Sequence, residues 1–441
     1  MSTRAESGSR TANPQDTQHT VTCPRSGRSG SVPGPAPGPE GHDEWAADVR
    51  WPLARRGDVV PEVCAWLREH RPVARVRTLA GAPAWLVSTH ELATRVLRDP
   101  TFSMSALAEP GARLQYAPLF PASNRSSVKD MVGAGLRETV MQAISPHAVK
   151  EAADGFRRRA DELLDDVTAE GPPVDIRARF TQPYTATVMS TVLGLSEDHG
   201  RLLMDGFDIS IMTVPRPFEG ARVNLEKCVA RTRASLLAPD AVDRPGLLGA
   251  LARLRAERGS TDALDDEIAL MINNLFVAGG LSTAAFLVLA LLMLMLNPDQ
   301  MRWLRDHPEA MDSAVEELLR CSLAIGDALP RIATRDTELG GQAIAKDDLV
   351  LVLVEGANYD PAVFPRPQTL DLTREAAKAH VTFGAGRHYC SATHLARTHA
   401  SIALAAVLER MPGLRLAIPV ETIDWRSGWI KRTPERLPIL W

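Results

Sequence analysis

The longest apolar run in the chain covers residues 276–296, and the uncharged region around it extends over residues 268–298. The run predicts one helix that begins near Asp265 or Asp266 and ends at Asn297, before a proline. Such a helix has about 32 residues and is roughly 48 Å long. Because it is apolar on every side, it either crosses a membrane or lies at the centre of a large core. A single span would divide the chain into two soluble halves, so the pattern favours a core helix.

Shorter patterns on either side predict a mixture of helices and short strands. Residues 74–89 predict two strands around a Gly-Ala-Pro turn, and residues 90–100 predict a helix that ends at a proline. Helical patterns dominate residues 130–296. The last third of the chain predicts helices at about 299–305 and 311–321, a strand at 349–357, a long helix at about 391–410 and a strand pair within 422–441. With no βαβ repeat, this order indicates a mainly α fold, with one large helical domain and a small β-rich region.

Composition narrows the class of protein. The 441 residues are 45% hydrophobic and 24% charged, with a net charge of −4. These values are typical of a soluble globular protein, and the absence of a basic field argues against a nucleic-acid partner. The five cysteines never form a CxxC pair, so we expect no disulfide framework and a cytoplasmic location. Residues 1–44 are rich in Gly, Pro and Ser without an apolar segment, which predicts a disordered tail before a single domain at 45–441.

One cysteine lies in a specific pattern, FGAGRHYCSATHLAR. Cys390 follows Gly384 and Gly386 and precedes the predicted last helix. Glycines allow positive φ angles and a close approach of the backbone to a flat group. A helix N-terminus stabilises a thiolate, and His388 is placed to meet an anionic group. A lone cysteine before a helix is more often structural, but the spacing from Phe383 onward favours a ligand.

This stretch resembles the haem-ligand loop of the cytochrome P-450 family, in which a cysteine thiolate binds the haem iron. The resemblance implies a mainly α cytochrome P-450 fold with the haem between the long central helix and the cysteine loop. It implies that Cys390 is the axial ligand of haem b and that His388 meets a haem propionate. Phe383 and Gly384 are then haem contacts. Ala392 stands where the family usually has glycine.

Further haem contacts follow from the same resemblance. Arg331, in LPRIATRD, and Arg137, in AGLRETV, match the family's propionate-binding arginines, and Met104 is a further candidate contact. The histidine that the family has four residues before this second arginine is absent, with Gly133 in its place.

The sequence EELLR also matches a family motif. Glu317 and Arg320 correspond to its Glu-x-x-Arg pair, which the helical period places on one helix face. The family's third arginine, expected after FPRP, is missing, with Gln368 and Thr369 in its region.

The centre of the long helix resembles the oxygen-activating segment of the family. In AGGLST, Gly279 and Gly280 permit a local kink, and Thr283 matches the threonine that holds a water or proton donor near dioxygen. Ser282 stands where the family usually has an acid, so Ser282 and Thr283 are the catalytic candidates. The resemblance implies the use of O2 and of electrons from NAD(P)H through a ferredoxin and its reductase.

The departures from the family pattern, together with LVLVLVEGANYDP and PERLPILW, resemble the branch that couples cyclic dipeptides. The expected reaction forms a C–C or C–N bond within one cyclic dipeptide, between two, or to a nucleobase, in natural-product biosynthesis. A tryptophan-containing substrate and a monomeric enzyme that binds no membrane are expected. The candidate substrate contacts are Ser127, Val128, Asn274, Ala278, Ser282, Trp429 and Lys431. Hydroxylation or desaturation of another small natural product is an alternative, as is a non-catalytic haem-binding protein.

Overall fold

The structure, a computed structural model, describes residues 56–115, 135–210, 219–324, 328–426 and 431–441. The predicted disordered tail and the predicted start of the domain at residue 45 lie outside the described residues. The boundary between them therefore stays a prediction.

The described helices agree in order with the patterns of the sequence. They are α1 Glu62–His70, α2 His90–Arg98, α3 Arg137–Ala143, α4 Pro146–Glu170, α5 Gln182–Leu193, α6 Glu197–Ser210, α7 Glu219–Leu236, α8 Gly246–Arg258, α9 Asp262–Phe276, α10 Ser282–Leu296, α11 Pro298–Asp306, α12 Met311–Cys321, α13 Val354–Asn358 and α14 Thr393–Arg410. The π-helical segments Arg177–Thr181 and Val277–Leu281 lead directly into α5 and α10. The mainly α prediction is confirmed.

The described strands form three small sheets. They are β1 Val73–Arg77, β2 Pro83–Val87, β3 Phe102–Ser103, β4 Val174–Asp175, β5 Leu329–Ala333, β6 Thr337–Leu339, β7 Gln342–Ile344, β8 Leu349–Val352, β9 Arg415–Leu416 and β10 Pro438–Leu440. The largest sheet has the order β1-β2-β8-β5-β3, with β2 and β8 parallel and the other pairs antiparallel. A second sheet has the order β4-β10-β9, and β6 pairs with β7.

The central helix consists of α9, the π-helical segment and α10. It begins at Asp262, slightly before the predicted start, because the Thr261 hydroxyl accepts a hydrogen bond from the Leu264 N–H and caps the helix. It ends at Leu296, as its apolar pattern predicts. Among the described residues this is the one helix long and apolar enough to cross a membrane, yet 72% of its most apolar window is buried inside the protein. We conclude that it is a core helix.

Two predicted strands were partly wrong. The strand predicted at 349–357 ends at Val352, and α13 follows it. The chain turns here because Gly356 packs against the backbone of Ser88, where a Cβ would lie 2.7 Å from the Ser88 carbonyl oxygen. In the described parts of residues 422–441, the two arms of the predicted strand pair meet at one bridge, between Trp425 and Pro434. β10 instead pairs with β4 and β9.

Candidate active site

Backbone hydrogen bonds close the cysteine loop before α14. The N–H of Cys390 donates to the carbonyl of Phe383 at 3.0 Å, and the N–H of Tyr389 donates to the carbonyl of Gly386 at 3.1 Å. Gly384 and Gly386 have φ angles of +73° and +70°, which side chains of L-residues rarely allow. The two glycines thus fold the chain back so that Cys390 lies between this turn and the first turn of α14.

We expect Gly386→Ala to weaken this loop. The left-handed backbone alone costs about 1–2 kcal/mol for a residue with a Cβ. The new Cβ would also lie 2.6 Å from the Leu97 carbonyl oxygen and 2.9 Å from the Arg98 Cα. Gly81→Ala is a matched control, because Gly81 has φ +83° but open space around its Cα. The unfolding temperature and the amount of haem retained should both fall more for Gly386→Ala than for Gly81→Ala. Equal losses in the two variants would refute the steric argument.

Burial and charge act against each other at Cys390. Burial raises the pKa of the Cys390 thiol, while the N–H of Ala392 and the charge of Arg397 lower it. The helix N-terminus predicted to stabilise the thiolate is therefore outweighed by burial. A metal ion bound to the sulfur reverses this balance, because a coordinating thiol is deprotonated outright. Cys390 is half-buried, whereas the other cysteines of the described ranges, Cys64, Cys228 and Cys321, are buried.

Arg331 is a buried cation on β5 that faces no described acid. Its side chain is 3% exposed, and its Nη1 donates to the neighbouring Pro330 carbonyl at 2.8 Å. Its Nε has no hydrogen-bond partner, and no carboxylate forms an ion pair with it within the described ranges. Burial lowers the pKa of Arg331 to about 10. Burying an uncompensated charge is costly, so this position fits a ligand that brings its own anionic group.

His388 lies near this arginine. Burial, followed by the charges of Arg331 and Arg387, lowers the pKa of His388. Arg331 and His388 are therefore two donors that can hold the propionates of a haem, and Phe383 contributes an aromatic ring and the carbonyl that holds the Cys390 N–H. These residues fit a haem with a cysteine ligand.

The two remaining predicted haem contacts differ in placement. Met104 follows β3, whose Ser103 pairs with Ile332, so Met104 lies level with Arg331 and is 40% exposed. Arg137 is the first residue of α3 and is exposed. No described contact joins Arg137 to Arg331 or His388, so its haem contact stays a prediction.

The middle of the central helix is π-helical, as its glycines favour. Gly279 and Gly280 lie within the segment Val277–Leu281, and a Cβ on Gly279 would lie 2.8 Å from the Met189 sulfur of α5. π-helical turns often occur at functional sites. The segment leads directly to Ser282 and Thr283.

The predicted site residues of this helix face a common accessible side. Asn274 and Ser282 are half-buried and Ala278 is exposed, although most of the helix is buried. Their four-residue spacing places them on one side of a helix. Thr283 is 6% exposed, and within the described ranges neither its hydroxyl nor that of Ser282 hydrogen-bonds to a protein group.

The predicted C-terminal and loop contacts are only partly described. Lys431 lines a small cavity with Arg177 and Thr433, against Leu281 and Ala284 of the central helix. Lys431 is therefore close to the helix turn that carries Ser282. The predicted contacts Ser127, Val128 and Trp429 lie outside the described residues.

The Glu-x-x-Arg pair is fully buried. Its glutamate also binds a further arginine, in the role that the family's third arginine has. Arg320 donates to both carboxylate oxygens of Glu317 at 2.7 and 2.8 Å, and both side chains are 0% exposed. Arg374 donates to the same oxygens at 3.0 and 3.1 Å. The expectation that the third arginine is missing is therefore wrong. Arg374 lies five residues after Thr369, and the DLTRE sequence around it was the signal that could have identified it.

The buried group of Glu317, Arg320 and Arg374 also hydrogen-bonds to the segments around the site. The other Arg320 nitrogen donates to the Asn358 carbonyl at 2.9 Å, and the Asn358 side chain accepts from the Val381 N–H at 2.8 Å. Glu317 additionally accepts from the Asp371 N–H at 3.1 Å. The residues that precede the cysteine loop are thus tied to α12 and α13.

These features fit the class of haem-thiolate proteins. A family model described as Cytochrome P450 matches residues 224–412. The chain is 38% identical over 390 residues to mycocyclosin synthase of Mycobacterium tuberculosis, covering 88% of this chain and 98% of that protein. It is 34% identical to nocardicin C N-oxygenase of Nocardia uniformis, covering 85% and 94%. A solved structure of HinD with NMFT and NO superposes with a TM-score of 0.80 and 33% identity, covering 90% of this chain and 100% of that one.

The chain belongs to the cytochrome P450 family. Members bind haem through a cysteine thiolate and use O2 with electrons from NAD(P)H that redox partners deliver. The chain is therefore an enzyme with a small-molecule substrate, and the resemblance of its sequence to this family is confirmed.

Proposed function

We propose that this enzyme couples a cyclic dipeptide oxidatively, with tryptophan as one of its residues. The observation that carries the proposal is the 38% identity to mycocyclosin synthase, which extends over 88% of the chain. The reaction removes two hydrogens from the substrate and forms one C–C or C–N bond. O2, NAD(P)H and a proton then balance it, because both oxygen atoms leave as water and NAD(P)H becomes NAD(P)+.

We assign the residues as follows. Cys390 binds the haem iron, and the haem supplies the oxidising chemistry when bound. Arg331 and His388 hold the propionates, with Arg137 as a further donor, while Phe383, Gly384 and Met104 contact the haem. This assignment is supported by the buried Arg331 charge, which has no described ion-pair partner.

Thr283 and Ser282 handle protons and orientation, with Ser282 in place of the acid that the family usually has before the threonine. The Thr283 hydroxyl holds a proton donor at its Oγ, and the Ser282 hydroxyl holds an amide group of the substrate. Both hydroxyls are available, since neither hydrogen-bonds to a described protein group.

We expect Thr283→Ala to lower the yield of product per electron consumed. General acid–base assistance typically contributes about 10²–10⁴-fold. Turnover should therefore fall by a factor that approaches this range, and the amount of peroxide released should increase. Thr283→Ser is the control that keeps the hydroxyl and should retain most of the yield. Product, NAD(P)H consumption and peroxide are measured together. Unaltered turnover and yield in Thr283→Ala would remove the proposed role.

The substrate pocket combines apolar walls with a few polar groups, as small-molecule sites usually do. Asn274, Ala278 and Ser282 form its wall on the central helix, and Lys431 donates to a carbonyl of the cyclic dipeptide. Ser127 and Val128 contribute further contacts, and Trp429 stacks on an indole. A site that hydrogen-bonds its substrate strongly rejects analogues without that group.

A titration of the haem absorption band tests the substrate class. Cyclic dipeptides with and without tryptophan are compared with linear dipeptides of the same composition. We expect tryptophan-containing cyclic members to shift the band at the lowest concentrations, and Lys431→Ala to weaken this binding more than Lys431→Arg does. If linear and cyclic peptides bind equally, or none binds, the substrate proposal fails.

The proposal also covers the redox partners, the oligomeric state and the location of the enzyme. A ferredoxin and its reductase deliver the electrons, since NAD(P)H-linked redox partners are the rule in the family. The enzyme acts as a monomer in the cytoplasm, without a membrane or nucleic-acid partner. The burial of its most apolar helix supports the absence of a membrane partner.

A further inference from the structure

A buried ionic cluster connects α12 with α14 beside the cysteine loop. Glu316 of α12 is 5% exposed, and its carboxylate accepts from Arg397 Nη2 at 3.0 Å and from Arg397 Nε. His380 Nε2 lies 3.3 Å from the same carboxylate. The Nδ1 atom of His380 accepts a hydrogen bond from the Thr382 N–H at 3.2 Å, which fixes the ring beside Glu316.

Arg397 also contacts the loop that precedes Cys390. Its guanidinium carbon lies 4.8 Å from the centre of the Phe383 ring, within the range of a cation–π contact. Phe383 in turn holds the Cys390 N–H through its carbonyl. The position of Arg397 is therefore coupled to the position of the sulfur.

The neighbours of Glu316 keep its carboxylate ionised. Although burial opposes its ionisation, His380 and Arg397 lower the pKa of Glu316 to about 2. The Arg397 charge in turn acts on Cys390. The sulfur is thus close to a cation that a buried acid keeps in place.

We propose that Arg397 is a positioning residue that sets the electron affinity of the haem iron through Cys390, with Glu316 as its partially neutralising counter-ion. The inference rests on Cys390 as the haem ligand, which belongs to the proposed function, but it is independent of the substrate. A positive charge near the sulfur favours the reduced iron, which carries one electron more, and a negative charge opposes it.

The test is the one-electron reduction potential of the haem-loaded full chain, titrated with a chemical reductant and mediators. Arg397→Met should shift the potential to a more negative value, and Glu316→Gln should shift it to a more positive value. The double variant should lie between the two single variants. Arg397→Lys keeps the charge and should recover most of the shift. Arg410→Met removes an arginine from the exposed end of the same helix, where it pairs with Asp165, and should leave the potential unchanged.

Shifts of opposite sign distinguish a charge effect from a general loss of packing, which would move both variants in one direction. Unchanged potentials, or shifts of the same sign, would overturn the inference. If Arg397→Met fails to retain haem, a positive shift in Glu316→Gln together with a nearly unaltered potential in Arg397→Lys still decides it. If the unaltered protein lacks the thiolate signature in its reduced carbon monoxide complex, the ligand assignment itself fails, and the inference fails with it.

Discussion

Cys390→Ser should abolish the thiolate signature in the spectrum of the reduced carbon monoxide complex, and product formation should fall to background. A serine hydroxyl does not supply the electron density with which a thiolate promotes O–O cleavage. The Cys390 N–H should still donate to the Phe383 carbonyl, so the loop should keep its shape. The expected effect is therefore on the iron ligand and not on the fold.

Cys228→Ser is the matched control for this prediction. Cys228 is 1% exposed and lies on α7, where burial raises the pKa of its thiol to about 11. The control makes the same atomic change and should leave the spectrum unaltered. An unchanged spectrum in Cys390→Ser would eliminate Cys390 as the axial ligand.

Glu317→Gln is expected to cause the largest loss of stability. The carboxylate neutralises Arg320 and Arg374, and breaking a buried pair by removing one partner typically costs about 3–5 kcal/mol. This is a large part of the roughly 5–15 kcal/mol that stabilises a typical protein, so low soluble yield and a strongly lowered unfolding temperature should result. Arg374→Met should cost less, because it leaves the Glu317–Arg320 pair intact.

The control for this prediction is an exposed ion pair on α11. Arg302 and Asp299 also lie three residues apart, but their side chains are 67% and 85% exposed. Surface pairs contribute about 0–1 kcal/mol, so Asp299→Asn should change the unfolding temperature little. Thermal unfolding of the haem-loaded variants provides the comparison. Similar decreases of the unfolding temperature in Glu317→Gln and Asp299→Asn would contradict the structural role of Glu317 and its two arginines.

Local patterns predicted most of the fold and part of the site. The glycines near Cys390 and within the central helix act through the conformation of their own backbone, so the sequence shows them directly. Arg374 escaped the prediction because its partner Glu317 is 57 positions away, and a long side chain can reach it from outside the expected motif. The same reason explains the cluster of Glu316 and Arg397, whose hydrogen bond spans 81 positions.

The strand predicted at 349–357, whose second part is α13, illustrates a different limit of prediction from local patterns. Its alternation of valine and leucine fits a buried strand as far as Val352. Beyond that residue, the close contact of Gly356 with Ser88 turns the chain, and a contact between distant segments has no local signal. Tertiary packing therefore decided the structure where hydrophobicity alone was ambiguous.

The mass of the product formed from a tryptophan-containing cyclic dipeptide tests the central claim most directly. The complete enzyme is supplied with O2, NAD(P)H, a ferredoxin and its reductase, and the products are analysed by mass spectrometry. Oxidative coupling predicts a product two hydrogens lighter than the substrate, or a dimer or nucleobase adduct formed with loss of two hydrogens. A product that has gained one oxygen atom, with no coupled species, would contradict the proposal and identify the enzyme as a hydroxylase.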